Sequence, residues 1–255
     1  MVPGALTGMG APRVIAVASG KGGVGKTSVV VGLARALCAA GHRVGVLDAD
    51  LYGPDIPLLL GVTRTVRAKH INVWRAPDTA KRIEPLELDG LRVMSIQFLL
   101  AENQSFAASG PLAALFVQRL WTGVDWGELD YLLVDLPPGT GDVSQSVATT
   151  VPIDAAIVVV TPQNLAHLDT LKLLDFLRLR EIPLLGGVEN MTTTECPHCG
   201  TEFPLFAEAD AQRSIWHAGV ARLATLPFDD TVTRASHPAF TTLADQVTAA
   251  FPPKR

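Results

Sequence analysis

Seven short runs of Val, Ile, Leu and Ala recur along the chain, and they stay apolar without alternating with polar residues. Continuous apolar runs of this length are typical of strands covered on both faces, because a half-exposed strand would alternate. The runs predict strands at 14–19, 43–48, 91–96, 131–136, 155–161, 183–190 and 221–227.

Stretches with a helical period separate most of these runs. They predict helices at 27–40, 112–121, 165–179, 208–218 and 240–251. Strands that alternate with helices form a mostly parallel sheet with helices on both faces, so the pattern predicts an α/β fold. No repeat or long linker divides the chain. We therefore expect one domain over 12–255, after a short flexible lead-in at 1–11.

Two segments do not follow this alternation. Residues 63–90 mix basic residues with Pro and Gly, which predicts a surface loop with a short strand near 83–88. Residues 191–206 show neither the helical period nor a strand-like apolar run, and they hold two of the three cysteines. This segment predicts a metal-binding insert in the domain.

Composition narrows the choice of partners and compartment. The chain has 21 Lys and Arg against 25 Asp and Glu, a net charge of -4, which argues against a broad surface for nucleic acid or anionic membrane. Its apolar runs are far shorter than the roughly 20 residues of a membrane-spanning helix. Three cysteines are too few for a disulfide framework. We expect a cytoplasmic protein without membrane or nucleic-acid partners.

The segment GKGGVGKT at 20–27 fits the phosphate-binding pattern G-x-x-x-x-G-K-[ST], between a predicted strand and a predicted helix. Its glycines let backbone N–H groups face phosphates, and the helix N-terminus favours the same anion. Lys26 is expected at the β and γ phosphates, and the Thr27 hydroxyl on Mg²⁺. A glycine-rich turn without a ligand is the alternative interpretation. The candidate nucleotide-binding residues are Gly20, Lys21, Gly22, Gly23, Val24, Gly25, Lys26, Thr27 and Ser28.

Acidic residues end two of the predicted strands. Asp135 closes the run YLLVD, and Asp48 and Asp50 lie in VLDAD. Ligands bind at the carboxyl ends of the strands in an open parallel sheet. We expect Asp48 and Asp135 near Mg²⁺ and Asp50 near the attacking water. The alternative role for Asp48 or Asp50 is helix capping before the turn at 53–54.

Cys196 and Cys199 lie in CPHCG, which has the form of a metal-binding knuckle. Two thiolates make half of a four-ligand site, and a two-fold dimer would complete a Cys₄ set. Four thiolates suit a [4Fe-4S] cluster or zinc. From the residues alone, both metals and a metal-free redox pair remain open.

The extra lysine of the phosphate loop, Lys21, makes GKGGVGKT a deviant Walker A motif, which resembles the SIMIBI class of P-loop ATPases. Together with VLDADLYGPDIP, VDLPPGTGD, GGVENM and CPHCG, it makes the chain similar to the Mrp/ApbC family of iron–sulfur cluster carriers from about residue 12 onward. The chain departs from the family pattern at Asp55, usually Ser, and at 207–210, usually rich in glycine.

The resemblance implies a homodimer that sandwiches two ATP molecules and hydrolyses them slowly, coupled to cluster binding or transfer. Lys21 would reach across to the partner's phosphates and, with Lys26 and Asp50, form the catalytic set. Asp135 would lie in the second shell of Mg²⁺, and Asn190 would contact adenine.

The resemblance also implies that Cys196 and Cys199 of both subunits hold an iron–sulfur cluster, [4Fe-4S] in type, for transfer to apo-proteins. Two alternatives stand beside it. One is a positioning ATPase like MinD or ParA, although Pro252 and Pro253 would stop a basic C-terminal membrane helix. The other is a regulatory ATPase whose cysteines hold structural zinc.

Overall fold

A computed structural model describes residues 11–62, 82–99, 110–229 and 237–254. Within them, eight strands form one sheet in the order β10-β7-β6-β1-β5-β2-β4-β3, parallel except where β3 meets β4. The seven predicted strands are all present, and the short strand near 83–88 is β3. The bounds are β1 Arg13–Ala18, β2 Val44–Asp48, β3 Leu86–Leu88, β4 Leu91–Ser95, β5 Tyr131–Asp135, β6 Ala155–Val160, β7 Leu184–Glu189 and β10 Arg222–Thr225.

Six α-helices lie in the described residues. Their bounds are α1 Lys26–Ala39, α2 Ile56–Leu59, α3 Gly110–Thr122, α4 Asp142–Thr150, α5 Asn164–Leu179 and α6 Pro238–Ala250. Four of them match predicted helices. The pattern did not predict α2, which is a single turn, or α4, because DVSQSVATT has only two large apolar residues, Val143 and Val147. None of these helices has the length and apolar character that crossing a membrane requires.

The predicted helix at 208–218 is wrong, since the segment forms only a 3₁₀ turn at Ala211–Arg213. The Asp210 side chain accepts a hydrogen bond from the Gln212 N–H at 3.1 Å. The Ser214 hydroxyl donates to the Ala211 carbonyl at 3.0 Å, and Ser214 itself is extended. Short polar side chains that bond to nearby backbone groups compete with the helical ladder, so apolar spacing was misleading here.

The order of the strands places the helices on both faces of the sheet. Along the order of strands in the sheet, the connection through α1 moves from β1 toward β2. The connections through α3, α4 and α5 move along the sheet in the opposite direction. Because parallel crossovers are right-handed, the reversal puts α1 on one face and the other three on the second face. The central strands β1, β5 and β6 are therefore covered on both sides, and β5 and β6 are buried throughout.

The predicted lead-in and loop fall largely on residues 1–10 and 63–81, which lie outside the described residues. A second, two-stranded sheet, β8 Thr193–Glu195 and β9 Glu202–Pro204, forms an antiparallel hairpin around the cysteines. Its short strands were not predicted, because three residues are too few to show a period.

Helix α6 packs against α1 at Gly32, where a side chain would have no room. A Cβ on Gly32 would lie 2.3 Å from the ring of Phe240, and Phe240 is fully buried. The ring thus occupies the space that any other residue at position 32 would need.

We expect Gly32→Ala to lower the free energy of unfolding by about 1–3 kcal/mol, the usual cost of overpacking. The loss should outweigh the gain of about 1 kcal/mol in helix propensity. Denaturant unfolding measures it, and Phe240→Leu in the same chain should recover part of the loss. A Gly32→Ala variant more stable than the parent would contradict this packing.

Candidate functional site

The phosphate loop lies between the end of β1 and the start of α1, as the sequence predicts. Gly23 and Gly25 have φ values of 79° and 82°, in the left-handed region that favours glycine. Gly25 is the N-cap of α1 and makes no side-chain cap. The first N–H groups of the helix therefore have no side-chain acceptor at the cap, an arrangement that suits an anion.

The loop is held from two sides, by the backbone of α5 and by the side chain of Asn190. A Cβ on Gly20 would lie 2.3 Å from the backbone of α5 at Asp169, and one on Gly25 would lie 2.1 Å from Asn190 Nδ2. The Asn190 amide donates to the Val24 carbonyl at 2.8 Å and is buried. Asn190 thus supports the loop from the end of β7, while its contact with adenine remains a prediction.

Lys26 is buried and forms an ion pair and hydrogen bond with Asp135. Its Nζ also lies 3.8 Å from Asp50 Oδ2. The structure therefore brings the loop lysine together with two of the three predicted carboxylates. A phosphate that binds the loop would compete with these carboxylates for the same ammonium group.

The third carboxylate, Asp48, lies in the same row of the sheet as Asp135. The register pairs Asp48 with Asp135 across β2 and β5, and with Ser95 across β2 and β4. Asp48 is 0% exposed and Asp135 1%. Parallel strands in register thus place two buried carboxylates next to each other at the carboxyl edge.

Burial raises the pKa of Asp48 well above its usual range, and the neighbouring Asp135 raises it further. Burial also raises the pKa of Asp135 and of Asp50, while Lys26 opposes both shifts. The site thus concentrates negative charge that one ammonium group balances in part.

The donor set fits a magnesium ion. Asp135 Oδ2 is buried and has no hydrogen-bond partner in the described residues. A hydrogen bond from Thr27 lowers the pKa of Asp135, so the loop hydroxyl and this carboxylate are adjacent. Carboxylate and hydroxyl oxygens are hard donors that Mg²⁺ prefers. Asp48, Asp135 and Thr27 therefore remain candidate supports for Mg²⁺.

Asp50 has a local role as well as its contact with Lys26. Its Oδ1 accepts the Gly53 N–H at 3.3 Å, which closes the turn after β2. Lys21 is half-buried, and the Ser19 hydroxyl donates to its carbonyl at 3.0 Å. Within the described residues Lys21 forms no ion pair, and its action across a dimer remains a prediction.

Both departures from the family pattern lie near this edge. The Asp55 carbonyl accepts the Leu59 N–H at 3.1 Å at the start of α2. The segment 207–210 ends at Asp210, whose N–H donates to Asn164 Oδ1 at 2.7 Å, at the start of α5. Both positions thus begin or contact a helix at the carboxyl edge of the sheet.

The cysteine pair lies in the turn of the β8–β9 hairpin. The Cys196 N–H donates to the Thr201 carbonyl at 2.9 Å, and the Gly200 N–H donates to the Cys196 carbonyl at 2.9 Å. Gly200 has a φ of 69°, which suits the tight turn. Cys199 is exposed and Cys196 half-buried. The turn thus presents two free thiols close to the surface.

Hydrogen bonds with Thr201, and with Cys196, lower the pKa of Cys199. The Cys199 Sγ lies 3.2 Å from Thr201 Oγ1. A thiolate is the form that binds metal, so this shift favours ligation. Around the two cysteines, the described residues offer no third His, Cys, Asp or Glu side chain that would complete a metal site. Within that part of the chain, the knuckle therefore supplies two ligands of a four-ligand set.

The hairpin and the phosphate loop are joined through the end of β7. Asn190, which contacts the loop, precedes Met191, whose φ is 59°. Thr192 then donates through its N–H and its hydroxyl to the Leu226 carbonyl, both at 3.1 Å. The hairpin begins one residue later, so a short, hydrogen-bonded segment separates the two candidate sites.

One residue at the site was missed by sequence reasoning. The Ser95 hydroxyl donates to Asp48 Oδ2 at 2.8 Å, and Ser95 is fully buried. The available signal was a single hydroxyl in the otherwise apolar end of LRVMSI.

We expect Asp48→Asn to raise the unfolding midpoint of the ligand-free protein at pH 7, by roughly 2–4 °C for a gain of about 1 kcal/mol. The folded-state pKa of Asp48 is raised, so this carboxyl costs stability that accumulates as pH rises above its unfolded-state pKa. The gain should shrink as pH falls toward the unfolded value of about 3.9.

Thermal unfolding without nucleotide or Mg²⁺, between pH 7 and pH 4, measures this effect. Asp130→Asn is the matched control with the opposite sign, because Arg43 lowers the pKa of Asp130. It should destabilise the protein at pH 7. A lower midpoint for Asp48→Asn at pH 7 would show that its charge is fully compensated.

Named relatives match most of the chain. A protein of Pseudomonas fragi named iron-sulfur cluster carrier protein is 41% identical over 215 residues, which are 84% of this chain and 72% of the relative. One of the same name from Haemophilus influenzae is 41% identical over 218 residues, 86% of this chain. The chain spans only 57% of the Haemophilus protein's length.

A solved structure agrees with the fold. The nucleotide-binding protein of Archaeoglobus fulgidus, determined in complex with ADP, superimposes with a TM-score of 0.70 at 36% identity. The match covers 90% of this chain and 87% of that one. The predicted P-loop NTPase fold is thus confirmed.

A family model for ParA, described as NUBPL iron-transfer P-loop NTPase, matches residues 10–250. That span includes the phosphate loop, the three carboxylates and the cysteine hairpin. The chain therefore belongs to this family of iron-transfer P-loop NTPases.

Proposed function

We propose that this chain is an ATP-hydrolysing iron–sulfur cluster carrier, in which two copies hold one cluster between them and deliver it to apo-proteins. The observation that carries the proposal is the two-thiol knuckle, joined to the nucleotide loop through the end of β7. Family membership supports it, as do relatives named for cluster carriage.

Two copies are part of the proposal because the described residues of one chain offer only a pair of thiols. A two-fold axis near the hairpins would bring Cys196 and Cys199 of both copies together. The resulting Cys₄ set suits a [4Fe-4S] cluster, which is the cargo. Exposure of Cys199 would give a client protein access to it.

ATP binding would rearrange the charges at the loop. In the structure Lys26 neutralises Asp135 and approaches Asp50. Phosphates in the loop would draw Lys26 away and leave the buried carboxylates without their cation. Mg²⁺, held near Asp48, Asp135 and Thr27, would replace that charge and polarise the phosphate oxygens.

Asp50 would then be free to orient a water molecule for attack on the γ-phosphate. Lys21 of one copy would reach the phosphates of the other and stabilise charge that develops there, much as an arginine finger does. Hydrolysis would thus depend on dimer closure and would be slow in isolated chains.

The alternative of a membrane-attached positioning ATPase gains no support from the C-terminal segment. Helix α6 ends at Ala250, before the two prolines. The Lys254 ammonium then pairs with Asp154 at 2.8 Å, and the Arg13 side chain donates to the Pro252 carbonyl at 2.8 Å. This segment contacts the sheet.

The double variant Cys196→Ala, Cys199→Ala should lose the iron and acid-labile sulfide that the parent takes up on anaerobic reconstitution. With one [4Fe-4S] cluster for two chains, the parent should hold about two irons per chain. Cys38→Ala is the matched control, since Cys38 lies on α1 and donates to the Asp89 carbonyl at 3.5 Å. It should keep the cluster.

Iron and sulfide retained in the double variant would refute the cluster assignment. Zinc in place of iron in the parent would favour the regulatory ATPase instead.

Lys26→Ala should reduce ATP hydrolysis by about 10²–10³-fold, the usual loss when a charge-stabilising group is removed. Cluster content should stay unchanged, because the thiols lie on a separate hairpin. Phosphate release and iron content measure the two effects. Lys172→Ala, at an exposed position on α5, should behave like the parent.

Removing Lys26 leaves Asp135 without its cation, so the unfolding midpoint is measured in parallel. Lys26→Gln provides a second variant that keeps most of the side chain. Equal loss of hydrolysis and cluster in a folded variant would contradict the separation of the sites.

A further inference from the structure

We propose that Ser95 is a positioning residue for the Mg²⁺–nucleotide site. Its hydroxyl fixes the Asp48 carboxylate in the orientation in which that carboxylate can support the metal. The inference rests on the proposed ATP site and assigns a role in it to the end of β4.

The register of three adjacent strands brings the groups together. Ser95 on β4 is level with Asp48 on β2, and Asp48 is level with Asp135 on β5. All three residues are the last of their strands and all are buried. Side chains at one level of a parallel sheet point to the same face, so these three form a row at the carboxyl edge.

The hydrogen bonds define where the Ser95 proton goes. A serine hydroxyl has one proton to donate and lone pairs that accept. The Gln97 N–H donates to Ser95 Oγ at 3.2 Å, so the oxygen already acts as an acceptor. Its single proton is directed to Asp48 Oδ2 at 2.8 Å.

The Asp48 carboxylate is thus held at both oxygens. Oδ1 accepts the backbone N–H of Asp50 at 3.3 Å, and Oδ2 accepts the Ser95 hydroxyl. Among the described residues, no other hydrogen-bond donor to Oδ2 is found. Removing the hydroxyl would leave a buried carboxylate oxygen unsatisfied and free to turn toward the Lys26 ammonium.

The position of Ser95 indicates that its role is in Mg²⁺ binding and not in phosphate binding. Ser95 touches neither the phosphate loop nor Lys26 in the described hydrogen bonds, so loop binding of phosphate does not need it. Groups that hydrogen-bond to metal-supporting carboxylates fix their orientation, and their loss typically weakens metal binding by about 10–100-fold. The expected defect is therefore in Mg²⁺ dependence.

The test measures binding of a fluorescent non-hydrolysable ATP analogue to the full chain, first in EDTA and then with rising Mg²⁺. Ser95→Ala should need about tenfold more Mg²⁺ for half of the metal-dependent gain in affinity. Its affinity in EDTA should stay within about twofold of the parent value, since the phosphate loop is unchanged.

Ser214→Ala is the matched control. Ser214 is also buried, accepts a backbone N–H from His217 at 3.2 Å and donates to a backbone carbonyl at 3.0 Å. It lies outside the row of carboxylates, so its removal should leave the Mg²⁺ midpoint unchanged. Ser95→Cys keeps most of the volume with a weak donor and should show a smaller shift than Ser95→Ala.

A double-mutant cycle separates positioning from general destabilisation. In an Asp48→Asn background, Ser95→Ala should cause no further change in the Mg²⁺ midpoint. A midpoint for Ser95→Ala within about twofold of the parent would overturn the proposal, as would a full effect in the Asp48→Asn background. A parent chain that binds no nucleotide would contradict the proposed function itself.

Discussion

The ion pair of Lys26 with buried carboxylates is the interaction on which the candidate nucleotide site, at the carboxyl edge of the sheet, depends. Parallel strands bring Asp48 and Asp135 side by side, and Asp50 follows two residues after Asp48. Such a group of like charges is unfavourable without a cation, because burial removes the water that would screen it. Lys26 supplies one positive charge from the first residue of α1.

In the ligand-free site, the carboxylates and the phosphates of the nucleotide therefore compete for the same Lys26 ammonium group. Lys26, which must bind phosphate, is already paired with carboxylates. Phosphate together with a divalent ion gives both sides a new partner, because phosphate binds Lys26 and the divalent ion binds the carboxylates. Removing one partner of such a buried pair is strongly unfavourable, whereas replacing the partners of both groups costs little free energy. The proposed gain in ATP affinity with Mg²⁺ follows from this balance.

The phosphate loop is also a packing element, and this ties it to distant parts of the chain. Gly20 meets the backbone of α5, and Gly25 meets the amide of Asn190, where any side chain would collide. Asn190 leads through two residues into the cysteine hairpin. A shift of the loop would therefore move Asn190, which leads into the segment that carries Cys196 and Cys199. In our proposal this contact is the physical basis for coupling nucleotide binding to cluster binding.

Local patterns in the sequence determined the eight strands of the main sheet, four helices, the phosphate loop and the cysteine knuckle, because each depends on neighbours within a few residues. They failed at 208–218, where side chains of Asp210 and Ser214 bond to the backbone, and at α4, where Val143 and Val147 are the only large apolar residues. Only the tertiary structure decided that Ser95 lies level with Asp48, and that Asn190 supports the loop. Those contacts join residues 47 and 166 positions apart, and strand order, which sets them, leaves no trace in local spacing.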